Sequence, residues 1–240
     1  MWKEESFEMN KIKDSVKRSI VVKAPLEQVW DALTKAEHLN RWYTKNAEID
    51  FRVGGRGFMN HGWGATSEGI FTEIDSMTRF VLQSPDGDFT TITSLEEVKD
   101  GILVSIEYRA SFIGDMNPAA KENMVFGTGQ FLENLKSVYE TETDLRAAFW
   151  RTWVGIVHTT NSGDRGTKVL QVKEDSAAAA AGIKPEDIII EIDGEEITGY
   201  ESFEKILNNK AVNHSVTFTI LRNSEKVQVD CLVDAYPVPY

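Results

Sequence analysis

Arg151-Thr152-Trp153-Val154-Gly155-Ile156 begins a run that continues through Ser176-Ala177-Ala178, Ala181-Gly182-Ile183 and Asp187-Ile188-Ile189 to Asp193-Gly194; its reading decides the architecture. An aromatic-aliphatic-glycine-aliphatic loop entering a strand can aim successive backbone amides at one anion, such as a chain-terminal carboxylate. Spacing predicts strands over 154–159, 167–172, 188–192, 215–221 and 226–233. Asn161-Ser162-Gly163-Asp164, Asp193-Gly194 and Asn223-Ser224 separate them. Ser176 caps a helical alanine run that Gly182 ends. A second helix, 200–209, carries Phe203, Ile206 and Leu207.

The 150 residues before this run are enough for a core of their own, so the 240-residue chain reads as two domains. Through Trp150 there are 17 basic and 24 acidic residues, and 9 and 14 thereafter, which sum to the net charge of −12. Both halves are acidic, which argues against a nucleic-acid partner. The start, Met1-Trp2-Lys3-Glu4-Glu5, is too polar for a signal peptide, and no apolar run reaches membrane-spanning length. Cys231 alternates with Val227, Val229 and Val233, so it reads as a buried structural thiol. A cytoplasmic protein is the simplest expectation.

In the first part, a β-rich run over 16–23 stops at Ala24-Pro25, and Val29, Trp30 and Leu33 recur at helical spacing. A short helix is expected over 36–42. Strands follow over 49–53, 56–61, 69–74, 79–83, 90–97 and 102–110. A long helix over 121–140 carries Met124, Phe131, Leu135 and Val138, with Leu132 and Tyr139 beside them. The fold class is therefore α+β: a curved antiparallel sheet around a long terminal helix, then a small β-rich domain with two helices.

Val29-Trp30-Asp31-Ala32-Leu33-Thr34, Leu39-Asn40-Arg41-Trp42-Tyr43, Arg52-Val53-Gly54-Gly55-Arg56 and Phe131-Leu132-Glu133-Asn134-Leu135-Lys136 occur in that order. They resemble the START-like helix-grip (SRPBCC) superfamily, in the branch named after the activator of the heat-shock-protein-90 ATPase. The resemblance covers about 16–142. One departure is Thr128, where the family often has Trp. The resemblance implies a cavity between sheet and helix, with Trp42, Phe58, Trp63, Phe71, Phe80, Phe112, Met124 and Phe131 as candidate lining. Two readings stand: these side chains fill the core, or a subset leaves room for a lipid or other hydrophobic small molecule.

The loop-led run from Arg151, with Val216 to Arg222, resembles a PDZ domain of the permuted bacterial type found in HtrA-like proteases, a β-sandwich or barrel with two helices over about 151–235. The implied mechanism is β-augmentation by a partner's C-terminal peptide. The amides of Val154, Gly155 and Ile156 would hold its carboxylate, with Arg151 as electrostatic support. Trp153 and Ile156 would wall the terminal pocket, His158 would point from the groove strand, and Phe203, Ile206 or Leu207 would supply the opposite wall or serve as core. The segments thus divide as an extension over 1–15, the helix-grip domain over 16–142, a semi-rigid connector over 143–150, the PDZ domain over 151–235 and a tail over 236–240. That tail, ending Val238-Pro239-Tyr240, is either a competitor for the groove or a frayed end.

No catalytic constellation emerges. His38 reads as exposed, and His61 as a surface or supporting histidine near a turn or cavity mouth. Gly54-Gly55-Arg56-Gly57 lacks the setting of a phosphate loop, and Asp187 with Asp193-Gly194-Glu195-Glu196 lacks calcium-loop spacing. No cofactor or metal is expected. The leading expectation is a non-enzymatic binding protein with two partners, a hydrophobic small molecule and a protein C-terminus. The alternatives are a co-chaperone that stimulates an ATPase, and a cyclase- or hydrolase-like activity using His61, Glu68 or Glu107 in the cavity.

Overall fold

The structure, a computed structural model, describes residues 14–110, 116–163, 165–238 and 240. Strand β1 (Asp14–Val22) is followed by helices α1 (Leu26–Thr34) and α2 (Ala36–Trp42). Strands β2 (Asn46–Ile49), β3 (Arg56–Gly62), β4 (Ala65–Asp75), β5 (Arg79–Gln83), β6 (Phe89–Val98) and β7 (Gly101–Ala110) form a meander, and helix α3 (Pro118–Thr141) ends the domain. The sheet runs β1-β7-β6-β5-β4-β3-β2, all antiparallel, because β1 returns to pair with β7, Val16 opposite Tyr108 and Val22 opposite Ile102.

An antiparallel sheet with one apolar face must cover that face. On β7 the inward set is Ile102, Val104 and Ile106, and it packs with Val29, Trp30 and Leu33 of α1 and Leu132, Leu135 and Val138 of α3. Helix α3 starts where Asn117 caps it, its Oδ1 accepting from Ala120 N at 2.9 Å, with Pro118 in the first turn where no N–H is needed. The strand expected over 49–53 stops instead at Ile49. The chain doubles back there: Arg52 N donates to Asp50 O at 2.9 Å, Gly54 adopts φ +81°, and a Cβ on Gly55 would stand 2.0 Å from Asp50 O.

A connector leads on from Glu142, which leaves α3 in the left-handed region at φ 57°, through a 3₁₀ turn over Arg146–Ala148. Arg146 is buried and pins the connector to the end of α2. Its guanidinium donates to the carbonyls of Thr44 (2.6 Å), Asn40 (3.0 Å) and Arg41 (3.0 Å) and to the Asp144 carboxylate (2.7 Å). Asn134, fully buried on α3, donates to Trp42 O at 2.6 Å and accepts from Leu145 N at 2.6 Å.

The second domain comprises β8 (Thr152–Trp153), β9 (Ile156–Thr160), β10 (Thr167–Val172), α4 (Ala177–Ala180), β11 (Ile188–Ile192), β12 (Glu195–Glu196), α5 (Tyr200–Asn208), β13 (Ser215–Arg222), β14 (Glu225–Leu232) and β15 (Asp234–Ala235). Its sheet runs β14-β13-β11-β10-β9, β12 adds to β11, and β15 pairs with β8. The single strand expected over 154–159 is broken at Gly155, whose φ of +85° turns the chain between β8 and β9. Val169, Ile189, Ile192, Phe203, Phe218 and Ile220 form the core, and Cys231 lies within it. Burial there pushes the Cys231 thiol up to about 12, so it is inert at neutral pH.

The two domains share an aromatic cluster. Phe131 of α3 and Trp63 of the β3–β4 turn meet Phe149 and Trp150 of the connector, with Trp63 and Trp150 4.8 Å apart between ring centres. Tyr240 docks on the same cluster 4.6 Å from Trp63. The end of the tail thus lies against the first domain, while Tyr236 at its start stands on the wall of the peptide groove.

Candidate functional site

Two concavities lie on either side of the first turns of α3. The larger, about 550 Å³, opens between the sheet and α3. Trp42, Phe80 and Met124 stand on its wall, together with Met59, Leu82, Ile106, Tyr43 and Tyr108. The other candidate lining residues lie elsewhere. Phe58 is on the opposite face of β3 from Met59 and His61, under the Arg56 guanidinium at 5.9 Å. Phe71 is buried against Phe51 and Phe80. Trp63 and Phe131 belong to the aromatic cluster between the domains. Phe112 falls outside the described residues.

The cavity's polar groups are few. Thr128 donates to Met124 O at 2.8 Å and reaches the Tyr108 hydroxyl at 3.4 Å, so a small polar residue on α3 meets the cavity wall where a Trp would project. Burial raises the Tyr108 phenol, and burial with the neighbouring Tyr108 raises Tyr43 further. His61, expected as a surface or supporting histidine near a turn or cavity mouth, lines the cavity and is buried on β3 because it shares the inward parity of Gly57 and Met59. Its Nε2 lies 2.8 Å from Ser67 Oγ, while Nδ1 has no well-aligned partner. Burial pushes the imidazole down to about 4, opposed only in part by the Tyr43 carbonyl. Glu68 stands at the exposed margin of the cavity, bound to Arg56, whereas Glu107 pairs with Arg109 on the other face of β7. His38, expected to be exposed, meets the Tyr139 hydroxyl at 2.9 Å.

The second concavity, about 320 Å³, lies between β9 and α5. Trp153, Val154, Gly155, Ile156 and His158 line one side, and Phe203 and Leu207 the other. Phe203 and Leu207 are also core residues, whereas Ile206 packs on the core outside the groove. The Gly155 backbone is forced: a Cβ there would meet Ser176 Cβ at 2.2 Å, in a region of φ that L-residues avoid. His158 is buried, 2.7 Å from Thr167 Oγ1 and 2.9 Å from Glu204 Oε1, and stacks on Tyr200 at 4.4 Å.

Arg151 does not reach the loop. It faces a neighbouring crevice beside Trp63 and Tyr236, where its own N–H donates to Asn208 Oδ1. Lys173 is the cation beside the loop: its N–H donates to Gly155 O at 2.8 Å and its ammonium sits 5.0 Å over the Trp153 ring. The pairing of Val172 with Ile156 places it there, a signal available from the hairpin register. Residues of the first domain also enter the groove. The N-cap Asn117 with Ala119, Ala120 and Asn123 of α3 forms part of its wall, and no local pattern announces that contact.

The described residues hold no cluster of side chains able to bind a metal ion and no helix long and apolar enough to cross a membrane. Residues 23–140 match the family of activator of Hsp90 ATPase homolog 1-like proteins, and residues 141–233 match the PDZ domain. No curated protein matches the chain. Solved structures similar to the first half include a protein from Staphylococcus saprophyticus (14% identity, TM-score 0.50, 55% of this chain and 96% of that one). Others are a protein from Nitrosomonas europaea (18%, 0.46, 53% and 95%) and the AHSA1-like protein from Aeromonas hydrophila (21%, 0.44, 54% and 94%). At 14% identity the likeness to the Staphylococcus saprophyticus protein speaks to the fold alone, and one fold hosts many activities.

Proposed function

We propose that this chain, an activator-of-Hsp90-ATPase-like domain followed by a PDZ domain, is a non-enzymatic binding protein for an apolar small molecule and a protein C-terminus. The domain pair supports a ligand- or peptide-binding role. The observation that carries the finer reading is the groove itself. An open strand edge, a glycine loop held at φ +85° and an apolar pocket converge on one point, which is what capture of a carboxylate and its terminal side chain requires. The cavity supports the second half: it is lined mainly by Leu, Met and aromatic side chains and is large enough for a ligand of ten or more heavy atoms, on the order of 300–1,000 Å³ for such sites.

Catalysis is the weaker reading. His61 and Ser67 are within reach of each other, but an imidazole held near 4 is a poor proton acceptor at neutral pH, and no carboxylate orients its Nδ1. The co-chaperone reading has less support: the exposed large apolar side chains among the described residues, such as Val53, Val98, Val157 and Leu232, stand on different elements. Native mass spectrometry of the purified chain, paired with a screen of a C-terminal peptide library, tests the proposal. A retained apolar ligand and enrichment of free-carboxylate peptides are expected. Absence of both would overturn it.

A further inference from the structure

Among the described residues β9 pairs only with β10, so its other edge is open to an added strand. Successive residues of a strand turn their N–H and C=O groups to opposite edges. Thr167 Oγ1 donates to Thr159 O at 2.8 Å from the β10 side, so Ile156, His158 and Thr160 carry the groups of the open edge. The last of these is already engaged. Glu122 of α3 accepts from Thr160 N at 3.0 Å, from the Thr159 hydroxyl at 2.7 Å and from the Thr160 hydroxyl. A carboxylate of the first domain therefore stands where a carbonyl of an added strand would stand. Beside it, Asn123 donates to the Tyr200 hydroxyl at 2.9 Å, and Phe126 meets the Tyr200 ring edge-on at 6.1 Å. Helix α3 thus bridges β9 and α5 across one end of the groove.

We propose that α3 is an intramolecular occupant of the outer half of the peptide groove, with Glu122 taking the place of a peptide strand at Thr160. This rests on the peptide-binding reading above. An antiparallel added strand bonds through every second residue, so Ile156 serves the terminal residue, His158 the one two before it, and Thr160 the one four before it. About four terminal residues fit without disturbing Glu122; a longer peptide must lift α3 or turn away from the sheet. The same turn faces the other concavity. Ala120 and Asn123 stand on the walls of both, and Met116 and Met124 on the cavity side. Lifting α3 moves the cavity wall, so a long peptide and a cavity ligand each affect the other's affinity, and reciprocally.

The test uses the full chain and its Glu122→Ala variant. The probes are a fluorescein-labelled tetrapeptide and octapeptide that share the four C-terminal residues enriched by a library screen on the wild type. Tetrapeptide affinity should be equal in the two chains. The octapeptide should bind the variant about tenfold more tightly than the wild type, because the competent groove no longer has to be vacated. An octapeptide that binds both chains equally overturns the inference and leaves the peptide reading standing. If neither peptide binds either chain, the peptide reading falls and takes this inference with it. Hydrogen exchange at the Thr160 amide gives a peptide-free measure: it should speed up in the variant, and an unchanged rate would contradict the latch.

Discussion

Replacing Gly155 by Ala tests whether the loop geometry that defines the peptide site is as constrained as it looks. Two costs add. An L-residue at φ +85° carries about 1–2 kcal/mol of backbone strain. The new Cβ would also meet Ser176 Cβ at 2.2 Å and Oγ at 2.6 Å, and Ser176 cannot yield freely. Its Oγ caps α4 by accepting from Ala179 N at 3.2 Å and donates to Lys173 O at 2.7 Å. Loss of such a cap costs about 0.5–2 kcal/mol, for a total of roughly 1.5–4 kcal/mol. Gly194 supplies the control: its φ is +81°, but nothing lies within 4 Å of an added Cβ, so Gly194→Ala should cost only the strain. Urea denaturation of both variants, followed by tryptophan fluorescence, gives the difference directly. Equal losses in the two variants would show that Ser176 moves aside without cost and that the loop is softer than its geometry implies.

Arg146→Ala removes the cation that serves the carbonyls of Asn40 and Arg41 in α2 and of Thr44 just beyond it, and takes the ion pair from Asp144, so about 2–4 kcal/mol should be lost in the same assay. The lowered imidazole of His61 means the unfolded chain takes up a proton first. Its contribution is complete above about pH 6.5 and falls away towards pH 4, on the order of 3 kcal/mol, and His61→Phe should flatten the stability profile across that window. Burial alone would raise Asp187, but the bidentate Arg222 contact and the Lys184 N–H outweigh it and hold the carboxyl below its usual range. Its contribution is therefore present above the ordinary carboxylate pKa and lost as pH falls through the lowered one, so the stability gap between wild type and Asp187→Asn should shrink in acid, measured by denaturation between pH 5 and pH 2.

The elements with one clean period were readable in advance. Helix α2 spans Ala36–Trp42 and β5 spans Arg79–Gln83, as the spacing predicts. The long helix begins earlier than its apolar stripe because Asn117-Pro118 starts it, a local signal that the stripe alone does not contain. Side-chain assignments fared differently. Phe58 looks like lining by type, yet parity with the inward Met59 and His61 sends it outward. Trp63 and Phe131 are drawn off by Phe149 and Trp150, a contact between residues far apart in sequence that no periodicity encodes. The same holds for the peptide groove. Its loop and strand are visible in Trp153-Val154-Gly155-Ile156, whereas Lys173 beside the loop and Glu122 at its far end arrive through hairpin register and domain packing.

Capture of a chain-terminal carboxylate by the Val154–Ile156 amides is open to isothermal titration calorimetry with one peptide in two forms. The best peptide from a C-terminal library is titrated into the full chain as the free acid and as the C-terminal amide. Because hydrogen bonds to a charged group contribute about 1.5–3 kcal/mol, the amide should bind at least about tenfold more weakly. Equal affinity of acid and amide would show that the loop amides do not hold the carboxylate.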